Sequence, residues 1–161
     1  MESYDVADEP WWVPANDSGQ WTTQAKVLPF ISKTSAPLAD LMCEISRSRE
    51  ILALPDDWND EGAPRFDEAT WERATDFLKH HARLLLVRSG VTLPTPRILP
   101  GSNGGIDLHW ETDLRELLIN VPPGNAPAGF YGEAMGTNSI KGKVAVEATD
   151  LGLFKWLTEM N

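Results

Sequence analysis

Two stretches of the chain hold residue types that could do chemistry. The first is Asp56-Asp57-Trp58-Asn59-Asp60-Glu61-Gly62. Oxygen-bearing side chains at alternate positions, followed by a glycine, are how a calcium loop presents itself to a hard cation. Counting from Asp57, Asp57, Asn59 and Glu61 take the first, third and fifth positions, Gly62 the sixth and Glu68 the twelfth. Three features oppose a cation site. Glu61 stands where Asp or Asn is preferred, Asp67 reads as a helix cap, and Pro64 lacks the N–H that the loop's short β-bridge uses. The plainer reading is an acidic interhelical turn, with Trp58 tucked into the core and Gly62 at positive φ.

The second stretch alternates. Ile106, Leu108 and Trp110 interleave with Asp107, His109 and Glu111, the pattern of a half-buried strand. If Glu111 pairs with Glu116 across a turn, His109 stands opposite Leu118 and Asp107 opposite Asn120. Asp107, His109, Glu111 and Glu116 then share the face away from the core. Carboxylates beside an imidazole can ligate a metal or move protons. Alternation alone produces such a face on any strand with one wet side, so a solvated sheet face is the plainer reading.

Elsewhere the chemical signals are thin. His80 and His81 are adjacent, so on a helix they diverge by about 100° and do not share a ligand; a structural role suits both, with His80 one turn from Asp76. Cys43 has no neighbouring base to activate it, and a single cysteine excludes an intrachain disulfide framework. Gly101-Ser102-Asn103-Gly104-Gly105 is neither a P-loop nor a dinucleotide fingerprint, and no G-x-S-x-G elbow occurs. No cofactor is implied.

The elements that would position these residues follow from spacing and punctuation. A first helix is expected from Ser35, with Pro37 in its first turn, Leu38, Leu41, Met42, Ile45 and Leu52 on its apolar face, and Pro55 ending it. A second is expected from Asp67 to Ser89. Asp67 caps it, Glu68 and Glu72 lie at its positive end, Lys79, Arg83 and Arg88 lie toward its negative end, and Gly90 stops it. Strands follow at Arg97–Leu99, Ile106–Glu111, Leu117–Val121, Phe130–Tyr131 and Ile140–Val146, and a last helix at about Thr149–Met160. The expected fold is α+β: two N-terminal helices packed on one face of an antiparallel sheet meander, with a C-terminal helix.

Residues 1–34 read as a Trp-rich extension preceding a single α+β domain at 35–161. Pro10, Pro14 and Gly19 break regular structure there, yet three of the seven tryptophans, Trp11, Trp12 and Trp21, lie within the first 21 residues. Such rings either dock on the chain's own domain or anchor a partner, where aromatic residues carry much of the binding energy. Trp11, Trp12, Trp21 and Phe30 are the candidate partner-binding residues.

The formal charge of -10 argues against direct nucleic-acid binding, which needs a basic footprint. It favours a protein partner with a basic surface. The acids of Met1–Glu9 have the wrong sign for a signal peptide, and no stretch approaches the roughly 18 to 20 apolar residues of a membrane helix. A soluble, cytoplasmic protein is expected.

Three segments carry a resemblance. Leu54-Pro55-Asp56-Asp57-Trp58-Asn59-Asp60-Glu61-Gly62-Ala63-Pro64 precedes an amphipathic helix. Pro94-Thr95-Pro96-Arg97-Ile98-Leu99-Pro100 then leads into Gly104-Gly105-Ile106-Asp107-Leu108-His109-Trp110-Glu111. Across residues 50–122 the chain resembles a loose group of small bacterial proteins found near mobile elements and defence genes. The resemblance implies a bacterial accessory protein and brings no established activity, cofactor or catalytic residue.

These features favour a non-enzymatic, acidic protein-interaction module: a small subunit, antitoxin-like neutraliser or adaptor. The alternative is a metal-dependent hydrolase or metal-binding domain using the 56–61 turn or the 107–116 sheet face. A weaker alternative is a DNA mimic that occupies a basic cleft.

Overall fold

The computed structural model describes residues 29–134 and 138–158, with side chains from Pro37 onward. Trp11, Trp12 and Trp21 lie outside the described residues, as does the side chain of Phe30. The chain divides into two units, Met1–Thr34 and Ser35–Asn161.

Among the described residues there are three α-helices and a five-stranded antiparallel sheet, an α+β fold. The elements run α1 (Pro29–Ser48), a 3-10 turn (Arg49–Ala53), α2 (Glu68–Ser89), β1 (Arg97–Pro100), β2 (Ile106–Glu111), β3 (Arg115–Val121), β4 (Ala128–Ala134), β5 (Asn138–Val144) and α3 (Gly152–Thr158). The strands are hydrogen-bonded in chain order, so the sheet is a meander.

The second helix follows its local signals. Asp67 is the N-cap and accepts the Thr70 N–H at 2.7 Å, while Gly90 closes the helix in the left-handed region at φ 67°. The first helix differs from expectation at both ends. It begins at Pro29, so Ser35 lies inside it rather than capping it, and Pro37 is internal. Pro29 has its φ preset for a first helical position and needs no partner for a missing N–H. Pro37 leaves the Lys33 carbonyl without an intrahelical donor. The α-helix ends at Ser48, and Leu52 belongs to the 3-10 turn that continues it. Two smaller differences lie near the C-terminus. β5 spans Asn138–Val144, which leaves Val146 buried but outside the strand, and α3 begins at Gly152.

The core lies between the helices and one face of the sheet. Ile106, Leu108, Trp110, Leu117, Ile119 and Val121 are 1% exposed or less. Against them lie α2, which meets β2 and β3, and α3, which meets β3 and α2. Each buried large apolar side chain contributes about 1.5–3 kcal/mol relative to exposure. Phe154 is the centre of this layer, with ring centroids 5.7 Å from Phe77, 5.0 Å from His81 and 5.6 Å from Trp110.

Polar groups in the layer are mostly satisfied. Trp110 donates its indole N–H to Pro94 O at 2.8 Å, and Trp71 donates to Ser48 Oγ at 3.0 Å. Leu41 and Ile45 of α1 are buried, and the Glu44 carboxylate accepts the Ile98 N–H at 3.0 Å, which secures β1. His81 is fully buried and donates from Nδ1 to Phe77 O at 2.8 Å, its pKa pushed down by burial. His80 is exposed, and Asp76 pairs with Lys79 at 2.6 Å rather than with His80.

Candidate functional site

The acidic turn is built by its own side chains. Asp57 N–H donates to Ala63 O at 2.7 Å and closes the loop, with Asp60 N–H on Asp57 O at 3.1 Å inside it. Gly62 takes φ 80°, and Asp57 and Asp60 take φ 58°, so three residues occupy the left-handed region. Small side chains that bond the local backbone lower the cost of that conformation. Asp57 Oδ1 accepts the Gly62 N–H at 2.5 Å. Asn59 Oδ1 accepts from Glu61 and Ala63 at 3.2 Å each, and Asp56 Oδ1 accepts the Arg65 N–H at 2.8 Å.

This geometry accounts for the candidate calcium residues individually. Asp57 and Asn59 each direct an oxygen to backbone donors within the loop. Glu61 accepts from Asn59 Nδ2 at 3.4 Å, and Glu68 pairs with Arg49. Among the described residues, no three His, Cys, Asp or Glu side chains converge in a way that could hold a metal. Trp58 is half-buried rather than sealed beneath the turn. Its ring centroid lies 5.9 Å from that of Phe66, and its indole nitrogen is buried without a partner.

What the turn does present is charge. Asp56, Asp57, Asp60, Glu61, Asp67 and Glu72 are all exposed. None lies within ion-pair distance of a cation among the described residues. Asp56 and Asp57 each hold one oxygen on a backbone donor and keep the other without a partner among the described residues.

The outer face of the sheet is arranged differently. The register is Glu111↔Glu116, His109↔Leu118 and Asp107↔Asn120, which sets Asp107, His109, Glu111 and Glu116 on the face opposite the core. β1 adds Arg97 opposite His109. His109 sits between two partners, with Nδ1 3.0 Å from Arg97 Nη2 and Nε2 2.7 Å from Glu116 Oε1. Arginine can only donate, so Nδ1 accepts and the proton on Nε2 goes to Glu116. Arg97 also reaches Glu111 Oε2 at 3.4 Å.

Asp107 is the most perturbed carboxyl of this face. Burial pushes its pKa up, and the Asn120 amide, donating to Oδ1 at 2.6 Å, offsets this only in part. The crowding comes from the Gly101–Gly105 turn, closed by Gly101 N–H on Gly105 O at 2.8 Å. A Cβ at Gly101 would sit 2.6 Å from Asp107 Oδ1 and 2.7 Å from Asn120 Nδ2, so a glycine is required for the carboxyl–amide pair to fit. Asp107, Asn120, His109 and Glu116 thus form two cross-strand pairs rather than one convergent centre.

Alternation in the sequence marks Asp107, His109, Glu111 and Glu116. Arg97 is missed, because its place beside His109 depends on the β1–β2 register, and only the length of the Gly-rich turn hints at that. The chain matches no protein-family profile, no curated protein and no solved structure. No described helix is long and apolar enough to cross a membrane.

Proposed function

We propose that the protein is a non-enzymatic interaction module that binds another protein through charge, using the acidic turn and the start of α2 against a basic surface. The observation that carries this reading is that the exposed carboxylates of Asp56, Asp57, Asp60, Glu61, Asp67 and Glu72 have no cationic partner among the described residues. The turn beneath them is fixed by its own hydrogen bonds, so its charges are presented with little further ordering on binding. Complementary charge speeds encounter and selects partners.

In this reading α1 and α2 share one face of the sheet, and Trp11, Trp12, Trp21 and Phe30 supply apolar anchors for the partner. The protein acts in the cytoplasm as a small subunit, antitoxin-like neutraliser or adaptor of a bacterial accessory or defence system. The resemblance of residues 50–122 to proteins encoded near such genes supports that setting.

The test is partner capture by the tagged full chain from its host, with the dominant protein identified, purified and rebound. The triple variant Asp57→Asn, Asp60→Asn, Glu61→Gln is compared with the parent. The reading expects a partner with a basic face and a loss of affinity of about tenfold or more in the variant, as for removal of several charge contacts. Equal affinity for parent and variant would refute it. Capture of a nucleic-acid-binding protein that duplex DNA displaces would favour the DNA-mimic alternative.

A further inference from the structure

A cleft beside the start of β1 contains a cation with no ion-pair partner among the described residues. It is bounded by the segment after α2, the turn joining β2 to β3, and the end of α3. Its volume is about 330 Å³, within the range of small-molecule sites. Val91, Pro94, Leu114 and Leu157 give it apolar walls, and Arg115 and Asp113 are its charged residues. Val91 and Leu114 are 38% and 55% exposed, which is unusual for apolar side chains lining one cleft.

Arg115 is held in place from several directions. The β2–β3 turn fixes its backbone. Thr112 N–H donates to Arg115 O at 2.9 Å, Thr112 Oγ1 donates to the same carbonyl at 2.8 Å, and Arg115 N–H lies 2.9 Å from Thr112 Oγ1. Its guanidinium carbon lies 5.0 Å from the centroid of the Trp156 ring, a cation–π arrangement. Trp156 in turn occupies space left by Gly132 on β4, where a Cβ would meet the indole ring at 2.9 Å. The side chain is therefore positioned before any ligand arrives.

Its hydrogen-bonding is incomplete. Nη1 is buried and has no partner, and no carboxylate lies within ion-pair distance of Arg115 among the described residues. Asp113 lines the same cleft but makes no ion pair with Arg115. A buried guanidinium nitrogen without an acceptor is unfavourable, and a carboxylate is the group that its planar donors match best.

We propose that this cleft binds a small carboxylate with an apolar tail, the carboxylate on Arg115 and the tail between Val91, Leu114 and Leu157. The site lies outside the acidic turn and does not depend on the proposed partner. Asp113 on the rim disfavours dicarboxylates and tightens the preference for a single negative charge.

The test is a chemical-shift titration of the full chain with 4-methylpentanoate and, separately, with 4-methylpentanamide. The carboxylate is expected to give saturable shifts at the Arg115 Nε–H and at the Leu114 and Leu157 methyls, with the amide at least about tenfold weaker, the scale of one lost charge-assisted bond. Arg115→Gln is expected to abolish the response. Leu114→Asp, an exposed substitution that leaves the guanidinium in place, provides a second variant and is expected to do the same by repulsion at the rim. The proposal is overturned if the amide binds as well as the acid, or if the shifts survive in a folded Arg115→Gln variant. Absence of saturation in the full chain, including the case in which residues 159–161 already fill the cleft, overturns it as well.

Discussion

The acidic turn and the outer face of the sheet are two polar clusters of this domain, and they use their carboxylates in opposite ways. On the sheet face, polar side chains meet across strands: Arg97 and Glu116 on His109, Arg97 on Glu111, Asn120 on Asp107. In the turn, Asp56, Asp57 and Asn59 bond the backbone of their own loop. Cross-strand pairing gives the sheet carboxylates side-chain partners, with the Arg97 cation beside Glu111. Capping a backbone N–H leaves a carboxylate its full negative charge. The first arrangement suits a stable wet surface, and the second suits recognition of a cationic surface. A count of acids in the sequence does not separate the two, because the difference lies in the partners.

The largest effect expected from breaking this contrast is on the sheet side. Gly101→Ala drives a methyl into the Asp107–Asn120 pair and the Gly105 carbonyl. Overpacking of this kind costs about 1–3 kcal/mol, to be read from denaturant unfolding. A change below about 0.5 kcal/mol, the usual range for a neutral surface substitution, would show that the pair does not depend on the glycine. On the turn side, Gly62→Ala forces a Cβ into φ 80° with open space around it. Backbone strain is then the only penalty, about 1–2 kcal/mol. No loss in the same titration would mean that the turn relaxes readily, against the fixed presentation argued above.

A smaller effect separates the two clusters by pH. The folded-state pKa of Asp107 is raised, so the folded protein holds that proton more tightly than the unfolded chain does. Its contribution to stability is present below the unfolded carboxyl value and is lost as pH rises through the higher folded value. Asp107→Asn keeps an acceptor for Asn120 and removes the charge. It is expected to gain stability relative to the parent between acid and neutral pH. A difference between the two proteins that stays constant with pH would contradict the burial of this carboxyl.

The smallest effect is expected in the turn. Asp60→Asn with Glu61→Gln alters exposed groups whose role here is charge, so stability is expected to stay within about 0.5 kcal/mol of the parent. A loss above about 1 kcal/mol, the size of a lost structural cap, would reassign these acids to folding.

How much of this was legible in the sequence depended on the range of the forces involved. The Asp67 cap, the Gly90 stop and the positive φ of Gly62 are set within a turn of chain and are readable. The Glu111↔Glu116 register is readable too, because a short turn and a two-residue period leave little freedom. The start of α1 is not, since two prolines compete for its first turn and the earlier one takes it. Arg97 beside His109, and Gly132 making room for the Trp156 ring against Arg115, join residues far apart in sequence by packing that no local pattern records.

The central claim is that the unpaired carboxylates of the turn recognise a basic partner. The most direct measurement is the affinity of that purified partner for the parent and for the Asp57→Asn, Asp60→Asn, Glu61→Gln variant as salt rises from about 50 to about 300 mM, a range over which surface charges become strongly screened. The account predicts a steep loss of affinity for the parent and a shallow one for the variant, so that the two converge at high salt. Parallel salt dependences, with no convergence, would contradict it.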